Sequence, residues 1–436
     1  MLVGAGSARF VITSEPETAK ELLNSSAFAD MPVKESAYEL LFHRSMGFAP
    51  FGDYWRELRR ISSTHLFSPK RVSGFASPVE KSGIVWEKIS TAQWRVMERW
   101  RSEESTTRKQ RATVRGSPPS VYSEELSDDL VVLGVSSEIL FFGIPFGNFR
   151  GISEELFSRT FFVVILHFGS VNNVMSIVFV RTYDFNDGTN ELEHFVSEGY
   201  ELLGIFNWSD HFPGARWLDL QGVRRRCRSL VGEVNVFVGN IIDDHISKRS
   251  LHDSQEEEIT DEDDFVDVLL GMQGNSKLSN SDMIAVLWEM IFRGTDTVAI
   301  LLEWILARMI LHPDIQAKAQ AEIDVIVGES GRQVSDSDLP KLPYLRAIVK
   351  ETLRMHPPGP RMGSSHHSRD SDWDPLYSRW DHCYGRRVCP GKSMGIATVE
   401  LWLAQLLGSF KWVPCGEVDL SETLKLSLEM KNPLVC

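Results

Sequence analysis

The sequence predicts a mainly helical fold with a small β portion. Apolar residues recur at steps of three and four over 392–410 and fill 283–291 almost completely, which is typical of helices buried in a core. Residues 9–13 are rich in β-branched and aromatic types and predict a short strand. Hydrophobic residues make up 42% of the 436 positions and charged residues 24%, so the chain can bury a sizeable core.

Charge and cysteine content exclude several classes of protein. The formal net charge of −14 argues against nucleic acid as a general partner, because phosphate binding needs clustered positive charge. The 5 cysteines are odd in number and widely spread, which favours a reducing compartment over a disulfide framework. No secretory signal is evident, and no apolar run reaches the roughly 20 residues that a spanning helix needs.

The N-terminal part of the sequence predicts a short strand and two helices. Residues 8–24 read as a strand and then a helix capped by Ser14, with Pro16 in its first turn. In the next helical pattern, Trp55 and Arg59 are four residues apart and share one face. Their N–H groups form a donor pair for a carboxylate, and the alternative is an ordinary surface helix with Trp55 half buried.

The middle of the chain alternates loops and helices. Residues 88–125 predict a loop, because basic residues alternate there with Ser and Thr before a Pro-Pro pair. Residues 192–248 predict helices with a break at 212–214. An exposed acidic loop is expected over 253–264, and residues 265–270 return to the core.

The longest predicted helix covers 281–311. Ser279 and Asp282 form a capping box at its start, and Pro313 lies just beyond its end and opens a further helix to residue 327.

A polar interruption lies in the middle of this long apolar helix. Gly294 and the hydroxyls of Thr295 and Thr297 are unfavourable in a buried helix, and such a local conflict is where function is expected. With the carboxyl group of Asp296 they form a polar niche. The niche could bind dioxygen and pass protons to it, and the alternative is a helix kink. Further on, Glu351 and Arg354 are three residues apart and are predicted as a buried ion pair holding two elements in register.

The stretch 384–392 offers one thiolate, at Cys389, before an apolar helix. Arg387 lies two residues before it, and Gly385 and Gly391 lie on either side. Backbone N–H groups at a helix start stabilise a thiolate, glycines let a flat ligand approach, and an arginine pairs with a carboxylate. This combination suits a thiolate ligand to haem iron with Arg387 on a propionate, and the alternative is a small core cysteine.

Four sequence motifs occur in this order along the chain: Trp55-x-x-x-Arg59, residues 294–297, Glu351-x-x-Arg354 and the loop around Cys389. Together they resemble the cytochrome P-450 haem-thiolate monooxygenases of the plant A-type group. Longer stretches, such as 32–40 and 282–320, are similar to a plant subfamily linked with organ and seed size.

The resemblance implies roles for these residues. Cys389 would be the axial ligand to the iron of haem b, and Trp55, Arg59 and Arg387 would hold the propionates. Asp296 and Thr297 would handle protons, Gly294 would make room for O2, and Glu351 with Arg354 would hold the fold.

The same resemblance implies the reaction and its setting. One atom of O2 would enter an apolar small molecule, fatty-acid-like or a plant metabolite. Electrons would come from NADPH through NADPH–cytochrome P-450 reductase. The family works at the cytosolic face of the endoplasmic reticulum membrane.

Several features depart from the family. The chain is expected to form a single domain over 1–436, with an atypical insert at about 91–164, a shortened segment between 361 and 384, and no N-terminal membrane anchor, which would leave it in the cytosol. His382 replaces an expected phenylalanine, and Val180 replaces an expected glycine. These departures predict a truncated, partly mis-spliced product with impaired haem binding.

Three other readings stay open. Gly391-x-Ser393-x-Gly395 matches a hydrolase nucleophile elbow, which would need a strand before it. A zinc site is conceivable, although the spacing fits no standard pattern, from His366, His367, His382, Cys383 and Cys389. A non-catalytic protein of the same family that binds haem poorly is the main alternative to the monooxygenase.

Overall fold

A computed structural model of the chain describes residues 2–5, 8–11, 15–25, 29–30, 34–68, 154–181, 189–212, 217–251, 264–274, 277–328, 332–358, 387–424 and 426–436. Within these ranges the fold is mainly helical with a small β portion, which confirms the fold class expected from the sequence. The predicted loop over 88–125, nearly all of the acidic loop over 253–264 and the shortened segment 361–384 lie outside the described residues.

The described helices are α1 (Pro16–Asn24), α2 (Glu35–Glu39), α3 (Asp53–His65), α4 (Glu154–Phe179), α5 (Thr189–Gly204), α6 (Trp208–His211), α7 (Val223–Leu251), α8 (Phe265–Gly271), α9 (Asn280–Leu311), α10 (Pro313–Val327), α11 (Pro343–Met355) and α12 (Lys392–Ser409). Two antiparallel hairpins accompany them: β1 (Leu2–Ala5) with β2 (Ala8–Val11), and β3 (Glu422–Leu424) with β4 (Leu428–Met430). Short 3₁₀ turns cover 42–44 and 336–341.

The 32-residue helix α9 forms the centre of the core. It packs along α4 and also touches α7, α11 and α12. Trp288 and Trp304 are fully buried on it. Its predicted ends are confirmed, because the hydroxyl of Ser279 accepts a hydrogen bond from the backbone N–H of Asp282 at 3.2 Å, and the helix stops before Pro313.

The helix α4 begins at Glu154, inside the segment predicted as an insert, and continues without a break to Phe179. Val180, which follows it, has a φ of 48° and is exposed. A β-branched residue is strained in this left-handed conformation, whereas glycine is not. The geometry therefore explains why a glycine suits this position.

At the N-terminus the strand and helix are present, but the cap differs from the prediction. Glu15, not Ser14, is the residue before α1, and it makes no side-chain cap hydrogen bond. Pro16 sets the first helical φ without needing a donor, so the helix begins there. Among the described residues, no helix combines the length and the apolar character needed to cross a bilayer.

The helices α10, α11 and α12 pack together beside α9. The part of α12 from Thr398 to Leu407 is buried, while its N-terminal turn and its last two residues are more accessible. This packing fixes the loop that carries Cys389, because that loop runs directly into α12.

Candidate functional site

Cys389 lies in the loop that leads into α12, and its side chain is accessible. Cys389 is a free, exposed cysteine three residues before Lys392, where α12 begins. No described residue donates a hydrogen bond to its sulfur. Gly391 lies against Phe67, and a Cβ there would come within 3.2 Å of that ring. The sulfur is therefore held on a closely packed loop and is free to coordinate, so the reading as a core cysteine is wrong.

Arg387 fastens this loop to the segment that precedes α3. Its guanidinium donates to the carbonyl oxygens of Ala29 at 2.7 Å, Gly47 at 3.2 Å and Ala49 at 2.7 Å. It also lies 4.9 Å from the ring centroid of Trp55. Burial lowers the pKa of Arg387, and Asp30, 3.8 Å away, acts in the opposite direction.

Trp55 and Arg59 lie on one face of α3, next to the Cys389 loop. Trp55 is 6% exposed, so it is buried rather than half buried, and its indole N–H donates to the Met46 carbonyl at 3.0 Å. Arg59 donates to the Val388 carbonyl at 2.6 Å and lies over the Trp55 ring. Burial lowers the pKa of Arg59, while negative charge at Cys389 favours its cationic form.

The structure therefore brings together four residues that sequence reasoning assigned to one cofactor. The four residues come from two segments far apart in the chain: the guanidinium groups of Arg387 and Arg59 lie over the Trp55 ring, and Arg59 contacts the residue next to Cys389. The indole N–H is already used by Met46. Each guanidinium has five N–H donors, so both arginines keep donors for an anion beside their backbone contacts.

Asp296 is a buried carboxylate in the middle of α9, and its partner is His167 on α4. The His167 Nδ1 lies 2.9 Å from Asp296 Oδ1, with side chains 34% and 11% exposed. Burial lowers the pKa of His167, but the Asp296 carboxylate outweighs it with help from Glu303 and Glu429, so the pKa is raised. The contact with Asp296 therefore favours the protonated form of His167.

Gly294 and Thr297 have different surroundings, although they are close in sequence. A Cβ on Gly294 would come within 2.7 Å of Val174 Cγ2, so the space it leaves is used for the close approach of α4 and α9. Thr297 is exposed, one helical turn after Arg293. The helix continues through all these residues, and no described break occurs between Asn280 and Leu311.

Glu351 and Arg354 form the predicted ion pair, but the pair is not buried. Two contacts of 2.8 and 2.5 Å join the guanidinium to the carboxylate within α11. The side chains are 56% and 30% exposed. The expected burial is wrong because the apolar face of α11 carries Leu345 and Val349, and Glu351 points away from it.

The competing sites gain no support from the described geometry. Ser393 lies in the first turn of α12, and the described residues just before it, from Arg387 to Gly391, form turns and not the strand that a nucleophile elbow needs. His366, His367, His382 and Cys383 of the zinc reading lie outside the described residues.

Sequence reasoning missed His167, Glu289 and Arg293. Glu289 is buried on α9, and its Oε1 accepts the Gly47 backbone N–H at 2.8 Å. Burial raises the pKa of Glu289, and Arg293 works against this. The sequence did contain a signal for Glu289 and Arg293, because they are charged residues one turn apart in an otherwise apolar helix. For His167 no local signal existed, since its partner is 129 residues away.

Comparisons with known proteins identify the family of the chain. The family model described as "Cytochrome P450" matches residues 161–370. "Cytochrome P450 78A5" of Arabidopsis thaliana is 47% identical over 100% of this chain and 82% of its own length. "Cytochrome P450 78A6" of the same plant is 39% identical over 100% of this chain and 78% of its own, and "Cytochrome P450 71A1" of Persea americana is 28% identical, with 100% and 85% covered.

A solved structure supports the fold. A zebra fish cytochrome P450 determined with progesterone has a TM-score of 0.64 and 18% identity, and the match covers 100% of this chain and 94% of that one. The sequence matches extend over the full chain and the fold agrees with them. The chain belongs to the cytochrome P-450 family of haem-containing monooxygenases, and it is an oxidoreductase.

Proposed function

We propose that this chain binds haem b through Cys389 and inserts one atom of O2 into an apolar small molecule, either fatty-acid-like or a plant metabolite. The second oxygen atom is reduced to water by two electrons and two protons. NADPH supplies the electrons through NADPH–cytochrome P-450 reductase. The observation that carries the proposal is the exposed Cys389 sulfur beside two guanidinium groups that stack on one indole.

The donor set fits haem. A haem bound at a cysteine thiolate activates dioxygen, because the sulfur pushes electron density toward the iron. Arg59 and Arg387 supply positive charge for the two propionates, and Trp55 orders both guanidinium groups. The carbonyl contacts of Arg387 fix its position before any ligand binds, so little side-chain entropy is lost on binding.

Protons reach the reacting oxygen through α9 in this proposal. The Asp296 carboxylate accepts a proton at Oδ1 and passes it on, and Thr297 presents a hydroxyl on the exposed side of the same helix. The cationic imidazole of His167 supplies this proton from its Nδ1–H, which faces Asp296 Oδ1, and the neutral imidazole that remains is protonated again from its surroundings. The partly exposed imidazole gives the buried carboxylate a connection to its surroundings.

The remaining assignments rest on the family resemblance. We infer that Gly294 contributes to the oxygen site only indirectly, through the close packing that it permits against Val174. Glu351 and Arg354 act as a structural pair on α11. We infer one domain over 1–436 with an atypical segment at about 91–164, and a place at the cytosolic face of the endoplasmic reticulum membrane, where plant relatives of this kind are expected.

A reduced carbon monoxide difference spectrum of the purified full chain tests the proposal. We expect a band at about 450 nm with one haem per chain, because a thiolate ligand is retained. Cys389→Ala removes the band. Cys415→Ala, which alters another free cysteine, leaves it unchanged. A band at about 420 nm, or none, in the wild type would overturn the proposal in favour of a non-catalytic product of the family.

A further inference from the structure

A histidine and two aspartates meet where α7 lies against the start of α8. They are His245 on α7, Asp264 just before α8 and Asp267 in the first turn of α8. One nitrogen or carboxylate oxygen from each residue lies within 4.8 Å of those of the other two. The side chains of His245 and Asp264 are only 7% and 5% exposed, and Asp267 is half-buried. The group therefore differs from an acidic surface patch, because it is largely buried and combines a nitrogen with oxygens.

The imidazole of His245 presents one nitrogen to the carboxylates. Its Nδ1 lies 2.8 Å from the carbonyl oxygen of Ile241. Because a carbonyl oxygen only accepts, Nδ1 carries a hydrogen, and the second nitrogen, Nε2, faces Asp264 Oδ2 at 2.6 Å. A histidine that donates its Nδ1–H to a backbone carbonyl and presents Nε2 has the orientation of a metal ligand.

Backbone contacts fix the two carboxylates relative to this nitrogen. Asp264 Oδ1 accepts the backbone N–H of Asp267 at 2.9 Å, which leaves Oδ2 directed toward His245. Arg249 donates to the backbone carbonyl of Asp267 at 3.1 Å and so ties the first turn of α8 to α7. The ligand atoms are therefore held in place from both helices, and little side-chain entropy remains to be lost when a cation binds.

The charges at this point call for a cation. The lone pair of a neutral Nε2 would face a carboxylate oxygen at 2.6 Å, so a positive charge must lie between these two atoms. A proton can serve Nε2 and Oδ2 of Asp264, but it leaves the second carboxylate, that of Asp267, to repel the first. A divalent metal ion binds all three groups at once and compensates both negative charges.

We propose that His245, Asp264 and Asp267 form a zinc site that joins α7 to α8. Zn²⁺ takes imidazole nitrogen and carboxylate oxygen, and three protein ligands with one water complete a tetrahedral shell. Mg²⁺ and Ca²⁺ prefer shells made of oxygen, so the imidazole disfavours both. The proton between Nε2 and Oδ2 passes to solvent when Zn²⁺ enters, and metal–ligand distances of about 2.0–2.1 Å separate these atoms to roughly 3.3 Å.

The zinc site acts on the stability of the fold and shares no residue with the haem site. The helix α8 packs against α7 and α4, and it buries Phe265, Val266, Val268 and Leu269. Zn²⁺ binds the folded arrangement of the three ligands, so it stabilises this junction by mass action. The inference is therefore independent of the proposed monooxygenase function.

Calorimetric titration with zinc chloride tests the inference on the full chain, after treatment with a chelator and exchange into metal-free buffer. Asp267→Asn is expected to weaken zinc binding at least about tenfold, because it removes a ligand while the half-buried position tolerates the amide. Asp243→Asn, which alters an exposed carboxylate on α7, leaves the affinity unchanged. Magnesium chloride gives no heat of binding. Equal zinc affinity in the wild type and Asp267→Asn would overturn the inference.

X-ray absorption at the zinc edge distinguishes this site from zinc held by cysteines. With one equivalent of zinc we expect only nitrogen and oxygen neighbours at about 2.0–2.1 Å, whereas sulfur at about 2.3 Å would place the metal on a cysteine and overturn the inference.

Thermal denaturation provides a second readout of the same site. Zinc is expected to raise the melting temperature of the wild type by a few degrees relative to the chelator-treated chain. His245→Gln should abolish this shift, with circular dichroism in the presence of chelator to verify that the variant folds. A zinc-dependent shift of the same size in folded His245→Gln would contradict the site. Because none of these measurements requires haem, a chain that fails to bind haem still decides whether zinc binds here.

Discussion

Replacement of His167 by glutamine tests whether the pair with Asp296 is an ion pair. At 2.9 Å and an effective dielectric constant of 20, the Coulomb attraction is about 6 kcal/mol before desolvation. Breaking a fully buried pair costs about 3–5 kcal/mol. His167 is 34% exposed, and solvent screening reduces the expected loss of unfolding free energy to about 2 kcal/mol.

The pH dependence of this loss identifies its origin. The pKa of His167 is raised in the folded protein from its ordinary value of 6.5. Its contribution to stability is therefore fully present below pH 6.5 and is lost as the pH rises through the folded value. The difference in stability between the wild type and His167→Gln should be largest at mildly acidic pH and should shrink at alkaline pH.

Thermal denaturation of the full chain at about pH 6 and pH 9 measures this difference, with one value below the ordinary pKa of 6.5 and one well above it. At the acidic pH we expect His167→Gln to lower the melting temperature by a few degrees. Asp296→Asn and the double variant complete a cycle in which the two effects are not additive. His194→Gln, which alters an exposed contact of 3.6 Å with Glu233, serves as the control. A loss that is the same at both pH values, with additive effects, would refute the reasoning.

Three further predictions concern stability, each measured by thermal denaturation of the full chain. Gly294→Ala should cost about 1–3 kcal/mol because its Cβ meets Val174, and Val174→Ala should restore most of the loss; no rescue would contradict the contact. Asp264→Asn should cost about 3 kcal/mol because it breaks a buried pair with His245 at 2.6 Å. The pKa of His245 is raised and that of Asp264 lowered, so this loss should fade as the pH rises through the first or falls through the second, and a loss independent of pH would exclude an ion pair. Val180→Gly should stabilise the chain by up to about 1 kcal/mol, because relief of the left-handed strain exceeds the added chain entropy, and destabilisation would contradict the strain.

The sequence predicted the elements whose signals are local. The helix α9 was predicted with its start at residue 281 and its end at 311, because Ser279 and Pro313 determine both ends chemically. The helix α4 was not predicted. Its apolar residues have no 3.6-residue period that distinguishes one face, because the described part of it is buried on most sides.

In the candidate site, too, features with a local sequence signal could be predicted and contacts between distant segments could not. Cys389, Arg387, Trp55 and Arg59 could be grouped from motifs, since each motif is short and chemically specific. Contacts that join distant segments could not be found in this way, because no periodicity in the sequence records which side chain of α4 meets Asp296. Burial was also misjudged for Glu351, whose spacing to Arg354 fixes the pair but not the face of α11 on which it lies.

A segment without reactive groups connects the Cys389 loop to the central helix. Gly47 accepts a hydrogen bond from Arg387 and donates one to Glu289 on α9, so its two backbone groups bind the two halves of the site. A Cβ on Gly47 would overlap with Glu289 and Arg293. Since Met46 and Ala49 on either side of Gly47 accept hydrogen bonds from Trp55 and Arg387, the distance between the cysteine loop and α9 depends on this backbone. The segment before α3 therefore fixes the position of Arg387 and Trp55 relative to α9, although it supplies no reactive side chain.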